Sequence, residues 1–310
     1  MRRKIDIVYT WVNVNDSEFT KQLGEYLDED TPPQQSRLRD IHDTLRYSIR
    51  SIEKYAPWVN KIHIVTQRPQ VPDWLKLDHP MLQIVHHDEF IPPQYLPTYN
   101  PRVIQSFFHE IPNSSEHLIY FNDDYLLGNN ISEEDFISED GRLKVYGSIF
   151  GIPLWFRVYA QKNQIKGLPR LEHTPFIIFK PWWKEMLTIK ETELEQTRKS
   201  RFREKSNVRV DRLYRYYLLS KKRKNISAVN FHNLLKISMF HRITDDLSQQ
   251  IRGLNQVSTS RPKFLCLNDD QSNEPNGEVI KLIEDFLKAQ YSEPSSFENT
   301  SIESTLPKAK

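Results

Sequence analysis

The sequence predicts an α/β fold whose sheet has mostly parallel strands. Apolar runs rich in β-branched and aromatic residues, the first over residues 5–11, alternate with helical patterns through the first half of the chain. Strands that are separated by helices and loops in this order tend to pair in parallel. The chain has 310 residues, of which 38% are hydrophobic and 12% aromatic, so it can build the core that such a sheet requires.

Each predicted element has its own sequence signal. In the helix predicted over residues 39–55, Leu45, Ile49 and Ile52 recur at helical spacing, and Ala56 with Pro57 ends the helix. The apolar runs predict strands over residues 5–11, 62–66, 82–85, 118–121 and 264–267. Helical patterns also cover residues 101–109, 182–224 and 278–289. Glycine and proline recur from residue 139 to residue 169, which predicts loops there.

Composition predicts one domain over residues 1–290, with a helical accessory region at about residues 180–260 and a disordered, Ser/Glu/Pro-rich tail over residues 291–310. No apolar run approaches the roughly 20 residues of a membrane-spanning helix, and Asp6 interrupts any apolar centre of a signal peptide. We therefore expect a cytoplasmic protein. The single cysteine, Cys266, excludes an internal disulfide and a zinc site of several thiolates. The net charge of +2 gives no indication of nucleic-acid binding.

The sequence Asn-Asp-Asp follows two of the predicted strands, at residues 122–124 and 268–270. In open α/β sheets, ligands bind beyond the carboxyl ends of the strands, where these side chains are expected. Carboxylate and amide oxygens suit Mg²⁺ or Mn²⁺, which would in turn hold a substrate diphosphate. The alternative is that each motif only forms a turn after its strand. The candidate metal ligands are Asp123, Asp124, Asn268 and Asp269.

Three arginines and one aspartate are candidates for substrate binding. Arg39, Arg46 and Arg50 share one face of the predicted helix, where guanidinium groups could neutralise a diphosphate through forked hydrogen bonds. Alternatively, they form an exposed helix face paired with acids. Asp6 lies within an apolar strand, where a carboxylate needs a partner, so a functional role and a structural hydrogen bond are both open.

His173 is the candidate general base, because it follows a loop rich in glycine and proline and precedes an apolar run. A structural role is the alternative, and nine other histidines compete with it. The sequence contains no GxxxxGKS, GxGxxG, HExxH or GxSxG motif, which excludes P-loop kinases, ordinary dehydrogenases, zincins and α/β-hydrolases. A metal-assisted transferase that acts on a phosphorylated donor remains.

Several segments together resemble the Stealth proteins, which include bacterial capsular and exopolysaccharide phosphotransferases and the catalytic subunit of the animal GlcNAc-1-phosphotransferase. The longest is TLRYSIRSIEKYAPWVNKIHIVTQRPQVPDWL, at residues 44–75. The others are IDIVYTWVNVND at residues 5–16, LIYFNDDYLLG at residues 118–128, EHTPFIIFKPWW around His173, SRFREKSNV around Arg203 and KFLCLNDD at residues 263–270. These blocks span nearly the entire chain.

The resemblance implies a Rossmann-like core similar to that of the glycosyltransferase-A enzymes, with a helical insertion and a requirement for Mg²⁺ or Mn²⁺. It also implies transfer of a hexose-1-phosphate, for example from UDP-GlcNAc, to a sugar hydroxyl with release of UMP. The implied roles are donor binding by Asp6, Trp11, Arg46 and Arg50, metal binding by Asp123, Asp124, Asn268 and Asp269, and catalysis by His173, Asp124 and Arg203. Arg39 is a candidate for donor binding from its place on the helix face alone. One apparent extra residue within residues 41–44 leaves the roles of Arg39, Asp40 and Asp43 open.

Two other functions remain open. A conventional metal-dependent glycosyltransferase would transfer the sugar alone and release a nucleoside diphosphate, and the Asn-Asp-Asp motifs do not distinguish it. A non-catalytic protein could bind glycans or a membrane surface through the basic residues 221–224, but it would not require the acidic motifs. The expected partners are a nucleotide-sugar donor, a bacterial glycan acceptor and, peripherally at the inner membrane face, the capsule assembly machinery.

Overall fold

The computed structural model describes residues 3–27, 40–148 and 173–299. Its central sheet has five strands in the order β3-β2-β1-β4-β7. The strands are β1 (Ile5–Thr10), β2 (Ile62–Thr66), β3 (Leu82–His86), β4 (His117–Asn122) and β7 (Phe176–Phe179). The first four run parallel, and β7 pairs antiparallel with β4 at the edge. The predicted α/β class with a mostly parallel sheet is therefore confirmed.

Two smaller sheets flank the central one. In the first, β10 (Phe264–Asp269) lies between β5 (Tyr125–Leu127) and β9 (Ser238–Ile243), antiparallel to β5 and parallel to β9. In the second, β6 (Leu143–Ser148) pairs in parallel with β8 (Ile226–Asn230). Because β5 follows β4 after a two-residue turn, the three-stranded sheet continues from the carboxyl edge of the central sheet. This arrangement brings the end of β10 next to the end of β4.

The helices cover the sheets and complete the core. They are α1 (Ser17–Gly24), α2 (Thr44–Tyr55), α3 (Pro101–Ser106), α4 (Lys180–Leu187), α5 (Glu191–Lys199), α6 (Val210–Lys221), α7 (Phe231–Ile237), α8 (Leu247–Ser260) and α9 (Gly277–Gln290). Helix α2 is tied to the sheets by its serines: the hydroxyl of Ser48 bonds to the Tyr9 hydroxyl at 2.7 Å, and that of Ser51 accepts from the Leu127 amide at 2.9 Å.

The predicted elements with strong periodicity are confirmed. Strand β2 has the predicted bounds, and β1, β3, β4, β10, α3 and α9 differ from the predicted bounds by a few residues. The prediction of loops is wrong for residues 143–148, which form β6. Leu143 and Val145 alternate inward there, but the strand pairs with β8, some 80 residues away. Residues 149–169 lie outside the described part of the chain.

The prediction of a disordered tail is wrong for residues 291–299. Tyr291 and Phe297 are buried, and the Tyr291 hydroxyl donates to the Leu127 carbonyl at 3.0 Å. The amide of Asn299 donates to the Trp74 carbonyl at 2.9 Å. The prediction failed because the polar composition of this segment conceals its buried residues. Tyr291, Phe297 and Glu298 are buried but lie among Ser and Pro residues. Within residues 3–27, 40–148 and 173–299, no helix is long and apolar enough to span a membrane.

Candidate active site

A cavity of about 1030 Å³ lies at the carboxyl edge of the central sheet. Thr10 and Trp11 line it at the end of β1, Gln67 after β2 and His87 after β3. The other side is formed by the ends of β4 and β10 and by the region from His173 through α6. The cavity therefore occupies the place at which the sheet topology predicts a ligand site.

The acidic part of the cavity joins the two Asn-Asp-Asp motifs. The antiparallel pairing of β5 with β10 places the Leu267 amide 2.9 Å from the Asp124 carbonyl. The Asn268 amide nitrogen donates to Asp124 Oδ2 at 3.2 Å, and Cys266 Sγ donates to the same oxygen at 3.4 Å. Asp123 and Asp269 also line the cavity. The four predicted metal-binding residues thus lie along one wall.

Burial and charge repulsion perturb the two adjacent aspartates. Burial, followed by the neighbouring charges of Asp124 and Asp40, raises the pKa of Asp123 well above its usual range. Burial also raises the pKa of Asp124, although the hydrogen bonds from Asn268 and Cys266 oppose this effect. Within the described residues, Asp124 Oδ1 is buried and has no hydrogen-bond partner. A buried oxygen without a partner is costly, so this wall favours a bound cation or donor.

A divalent cation fits this wall only with help from a ligand. The described residues contain no group of three or more His, Cys, Asp or Glu side chains placed to hold a metal ion. Mg²⁺ is usually bound by one or two carboxylates together with substrate phosphates and water. The pair Asp123 and Asp124, with the unpartnered Oδ1 atom, matches that kind of site.

Arginines also line the cavity. Arg102, Arg203, Arg209 and Arg215 all line it. Arg209 donates to both carboxylate oxygens of Asp211, at 3.1 and 2.9 Å. Burial and the nearby positive charges of Arg203 and Arg209 lower the pKa of Arg102. These four arginines add a cluster of positive charge to a cavity that the aspartates also line.

The segment that carries Arg203 is held by the start of α3. The Asn100 amide nitrogen donates to the carbonyls of Ser200 and Phe202, at 3.0 and 3.1 Å. Arg102 Nη1 donates to the carbonyls of Glu204 and Asn207, at 2.7 and 2.9 Å. These bonds fix the backbone on both sides of Arg203, so its side chain projects from a defined position into the cavity.

His173 lies between the acids and the hydrophobic lining. Its Nδ1 atom is 3.8 Å from Cys266 Sγ, and its ring centroid is 4.2 Å from that of Phe240. Burial raises the pKa of the Cys266 thiol well above its usual range, so the thiol stays protonated and is no nucleophile at neutral pH. The thiol contacts both His173 and Asp124, which places the predicted base beside the predicted acids.

Trp11 lines the cavity and helps to position the start of α2. Its Nε1 atom donates to Asp40 Oδ2 at 3.0 Å, while Asp40 Oδ1 accepts from the Thr44 amide at 3.0 Å. Asp40 thus joins Trp11 to the first residue of α2, and it also lines the cavity. His42 lies beside it, and burial lowers its pKa, so it is neutral at pH 7.

The structure places Asp6 away from the cavity, contrary to the prediction. Asp6 lies near the amino end of β1, whereas Thr10 is at its carboxyl end. The rise per residue of a β-strand puts about 13 Å between the two residues. It accepts hydrogen bonds from His63 Nε2 at 3.0 Å, Asn60 Nδ2 at 2.7 Å and the Ser115 amide at 2.6 Å. Burial alone would raise the pKa of Asp6, but these bonds lower it. Asp6 therefore has the structural role that the sequence left open.

Arg46 and Arg50 are also directed away from the cavity, contrary to the prediction. Both donate to the buried carboxylate of Glu298, Arg46 Nε at 2.5 Å and Arg50 Nη2 at 2.7 Å. Arg50 Nη1 donates to the Tyr291 carbonyl at 2.9 Å. Neither arginine is among the described residues that line the cavity. Arg39, the third member of the predicted stripe, lies outside the described residues.

Sequence reasoning missed several residues of the cavity. Arg102, Arg209 and Arg215 were not singled out, and Asp40 was left without a role. The only local signal was the series of arginines at residues 201–215. This series occurs in a strongly charged helical region, so its arginines did not differ visibly from their neighbours. Their common direction depends on the packing of α6 against α3 and β7, which no local pattern encodes.

Comparison with known proteins identifies the family. The profile of Stealth conserved region 2 matches residues 37–145, and that of conserved region 4 matches residues 255–306. The chain belongs to the Stealth family. These two regions of the Stealth chain carry the two Asn-Asp-Asp motifs, and the structure brings them together at the cavity.

Relatives of this Stealth protein include an exopolysaccharide phosphotransferase of Streptomyces coelicolor, 31% identical over 96% of this chain and 53% of the relative. A capsular polysaccharide phosphotransferase of Haemophilus influenzae is 27% identical over 87% of this chain and 79% of its own. Another, from Streptococcus pneumoniae, is 27% identical over 96% of this chain and 100% of its own. The Stealth chain thus spans about half the length of the Streptomyces relative.

Solved structures show weaker likeness. The apo-form glycosyltransferase GlyE of Streptococcus pneumoniae TIGR4 is 11% identical, with a TM-score of 0.46 over 94% of this chain and 61% of its own. The galactosyltransferase LgtC, in complex with donor and acceptor sugar analogs, is 10% identical, with a TM-score of 0.43 over 92% and 95% of the two chains. The assignment of this Stealth protein rests on the sequence relatives.

Proposed function

We propose that the protein transfers a sugar-1-phosphate from a nucleotide-sugar, such as UDP-GlcNAc, to a hydroxyl of a bacterial glycan and releases a nucleoside monophosphate. The observation that supports this proposal is one cavity that is lined by paired aspartates, by four arginines and by His173. The relatives named capsular and exopolysaccharide phosphotransferases support the same reaction class.

Binding of the donor diphosphate follows from the charges that line the cavity. Asp123 and Asp124 would hold Mg²⁺ or Mn²⁺, which neutralises the phosphoryl oxygens and the leaving group when it is bound. Arg203, which also lines the cavity, donates charge-assisted hydrogen bonds to the phosphoryl oxygens. In other phosphoryl transfers one such arginine contributes about 10³–10⁵ in rate.

His173 acts as the general base. The acceptor hydroxyl gives its proton to the imidazole while its oxygen forms a bond to the phosphorus that carries the sugar. The bond from that phosphorus to the bridging oxygen breaks, and the nucleoside monophosphate leaves with the electron pair. Because the anomeric C–O bond stays intact, the anomeric configuration is retained. A positioned base typically contributes about 10²–10⁴ in rate.

The test is the identity of the released nucleotide. The protein is incubated with UDP-GlcNAc, Mg²⁺ and a capsule-like oligosaccharide, with and without EDTA. We expect UMP only when both metal and acceptor are present, and a phosphodiester in the product. Release of UDP would instead indicate a conventional glycosyltransferase and would refute sugar-1-phosphate transfer.

Two aspartate variants give a matched comparison for this assay. Asp124→Asn removes a carboxylate from the acidic wall, and Asp285→Asn removes one from an exposed pair with Lys281 on α9. We expect the first to lower UMP release by about 10³-fold or more, in the range of charge stabilisation in phosphoryl transfer, and the second to have no effect.

Contact with membrane-bound capsule assembly proteins belongs to the same proposal and is tested by co-purification from capsulated cells.

A further inference from the structure

Arg215 is a charged side chain of the cavity wall that lacks a hydrogen-bond partner within the described part of the chain. It projects from the middle of α6, and its guanidinium lies over the Phe176 ring, 5.5 Å from the ring centroid. Burial lowers its pKa, although nearby Asp211 opposes this effect. Arg215 is half-buried and lines the cavity, so its guanidinium is placed to bind a negatively charged ligand there.

The carboxylate of Asp211 acts on Arg215 but is shared with a second arginine. Asp211 is one helical turn earlier on α6, but both of its oxygens accept from Arg209, at 3.1 and 2.9 Å. The charges of Arg209 and Arg212 also act on Arg215 and lower its pKa further. The local balance is therefore positive, and the cavity is the place from which a negative partner could reach it.

Arg215 lies close to two segments of the site, the one that carries Asp124 and the one that carries His173. Its charge acts on Tyr125, the residue that follows Asp124. The ring beneath it, Phe176, is three residues after His173 and packs against Tyr120, another cavity residue. Arg215 therefore lies between the segment that carries the acids and the segment that carries the predicted base.

We propose that Arg215 binds the diphosphate of the nucleotide-sugar donor, through forked hydrogen bonds to oxygens of the transferred phosphoryl group. The inference rests on the proposed function for the identity of the donor. It assigns to Arg215 the task that the sequence suggested for Arg46 and Arg50, which are bonded to Glu298 instead. A planar guanidinium that lies over an aromatic ring is held ready for such bonds.

The first experiment measures binding of inorganic pyrophosphate by calorimetry in the presence of Mg²⁺. Arg215→Met keeps the stem that packs on Phe176 but removes the charge, and Arg215→Lys keeps a charge without the fork. Arg252→Met, on the exposed face of α8, is the matched control. We expect at least about tenfold weaker pyrophosphate binding for Arg215→Met, an intermediate loss for Arg215→Lys and no change for Arg252→Met. Thermal melting establishes that each variant is folded.

The second experiment measures turnover with the nucleotide-sugar. We expect Arg215→Met to lower kcat/KM by about 10²–10³-fold, the usual effect of removing one charge-stabilising donor. We also expect added guanidinium ion to restore part of the activity of Arg215→Ala, but none of that of Asp124→Asn. If guanidinium ion restores the activity of Arg215→Ala alone, the reaction requires a guanidinium at this position. A variant that had only lost packing would not regain activity in this way.

Two outcomes would overturn the proposal. One is a folded Arg215→Met protein that binds pyrophosphate as well as the wild type does. The other is a wild type that does not bind pyrophosphate at all. If the wild type binds pyrophosphate through Arg215 but releases no nucleoside monophosphate from any donor, the proposed function fails while the anion site at Arg215 stands.

Discussion

Glu298→Gln tests the ion cluster that holds the C-terminal segment on α2. The Glu298 carboxylate accepts from Arg46 Nε at 2.5 Å, from Arg50 Nε at 2.7 Å and from the Ser295 amide at 2.8 Å. The exposed fraction is 2% for the side chain of Glu298 and 8% for that of Arg50. Glutamine preserves the size of the side chain, but it removes the negative charge that both guanidiniums contact.

The pKa of Glu298 gives the magnitude of the free energy that its carboxylate contributes to folding. Burial alone would raise this pKa, but the hydrogen bonds from Arg50, Ser295 and Arg46 lower it from 4.5 to about 2. Because the folded-state pKa is lowered, the stabilisation is complete above pH 4.5 and is lost as the pH falls toward 2. The linked free energy is about 3 kcal/mol. Loss of one partner from buried pairs in other proteins costs about 3–5 kcal/mol, which agrees.

The assay is urea denaturation followed by circular dichroism, for the wild type and Glu298→Gln at pH 7 and pH 3. We expect the difference in unfolding free energy to be about 3 kcal/mol at pH 7 and about 1.5 kcal/mol at pH 3. Glu284→Gln is the control, because Glu284 forms an exposed pair with Lys288 at 3.5 Å. Its effect should be below about 0.5 kcal/mol at both pH values.

A Glu298→Gln cost that is below about 1 kcal/mol and independent of pH would refute the electrostatic reasoning. Activity gives a second check. Since Arg46 and Arg50 lie away from the cavity, the folded variant should release nucleotide at the wild-type rate. If Glu298→Gln kept its stability but lost its activity, the result would support the sequence prediction that Arg46 and Arg50 bind the donor.

Three further changes have expected outcomes. His173→Ala should lower turnover by about 10²–10⁴-fold, with partial recovery in imidazole buffer; equal recovery of Asp124→Asn would contradict a base role. Trp11→Phe removes the bond to Asp40 and should cost about 1 kcal/mol of stability by urea denaturation, whereas an unchanged midpoint would show that the bond contributes nothing. Gly253→Ala should destabilise the fold by about 1–3 kcal/mol despite its better helix propensity. The added Cβ would lie 2.2 Å from Cε1 of His241, which Gln250 holds in place, so a stabilised variant would show that the ring can move.

The sequence by itself determined the elements whose periodicity is local. The run IHIVT predicts β2 with its observed bounds, and the spacing of Leu45, Ile49 and Ile52 predicts the buried face of α2. The two Asn-Asp-Asp motifs predicted an acidic site at the ends of strands, because parallel strands end at the same edge. The family resemblance then indicated which further side chains, His173 and Arg203 among them, would line that edge.

Only the tertiary structure decided which partner each charged side chain has. The periodicity of α2 puts Arg46 and Arg50 on one face, but their partner Glu298 is about 250 residues later. Arg215 is one of many charges in α6, and its place in the cavity follows from the packing of that helix beside β7. Periodicity records which side of an element is buried, whereas electrostatic pairing depends on distances across the whole fold. For that reason the strands could be read from the sequence, whereas the positions of Arg102, Arg209 and Arg215 in the cavity could not.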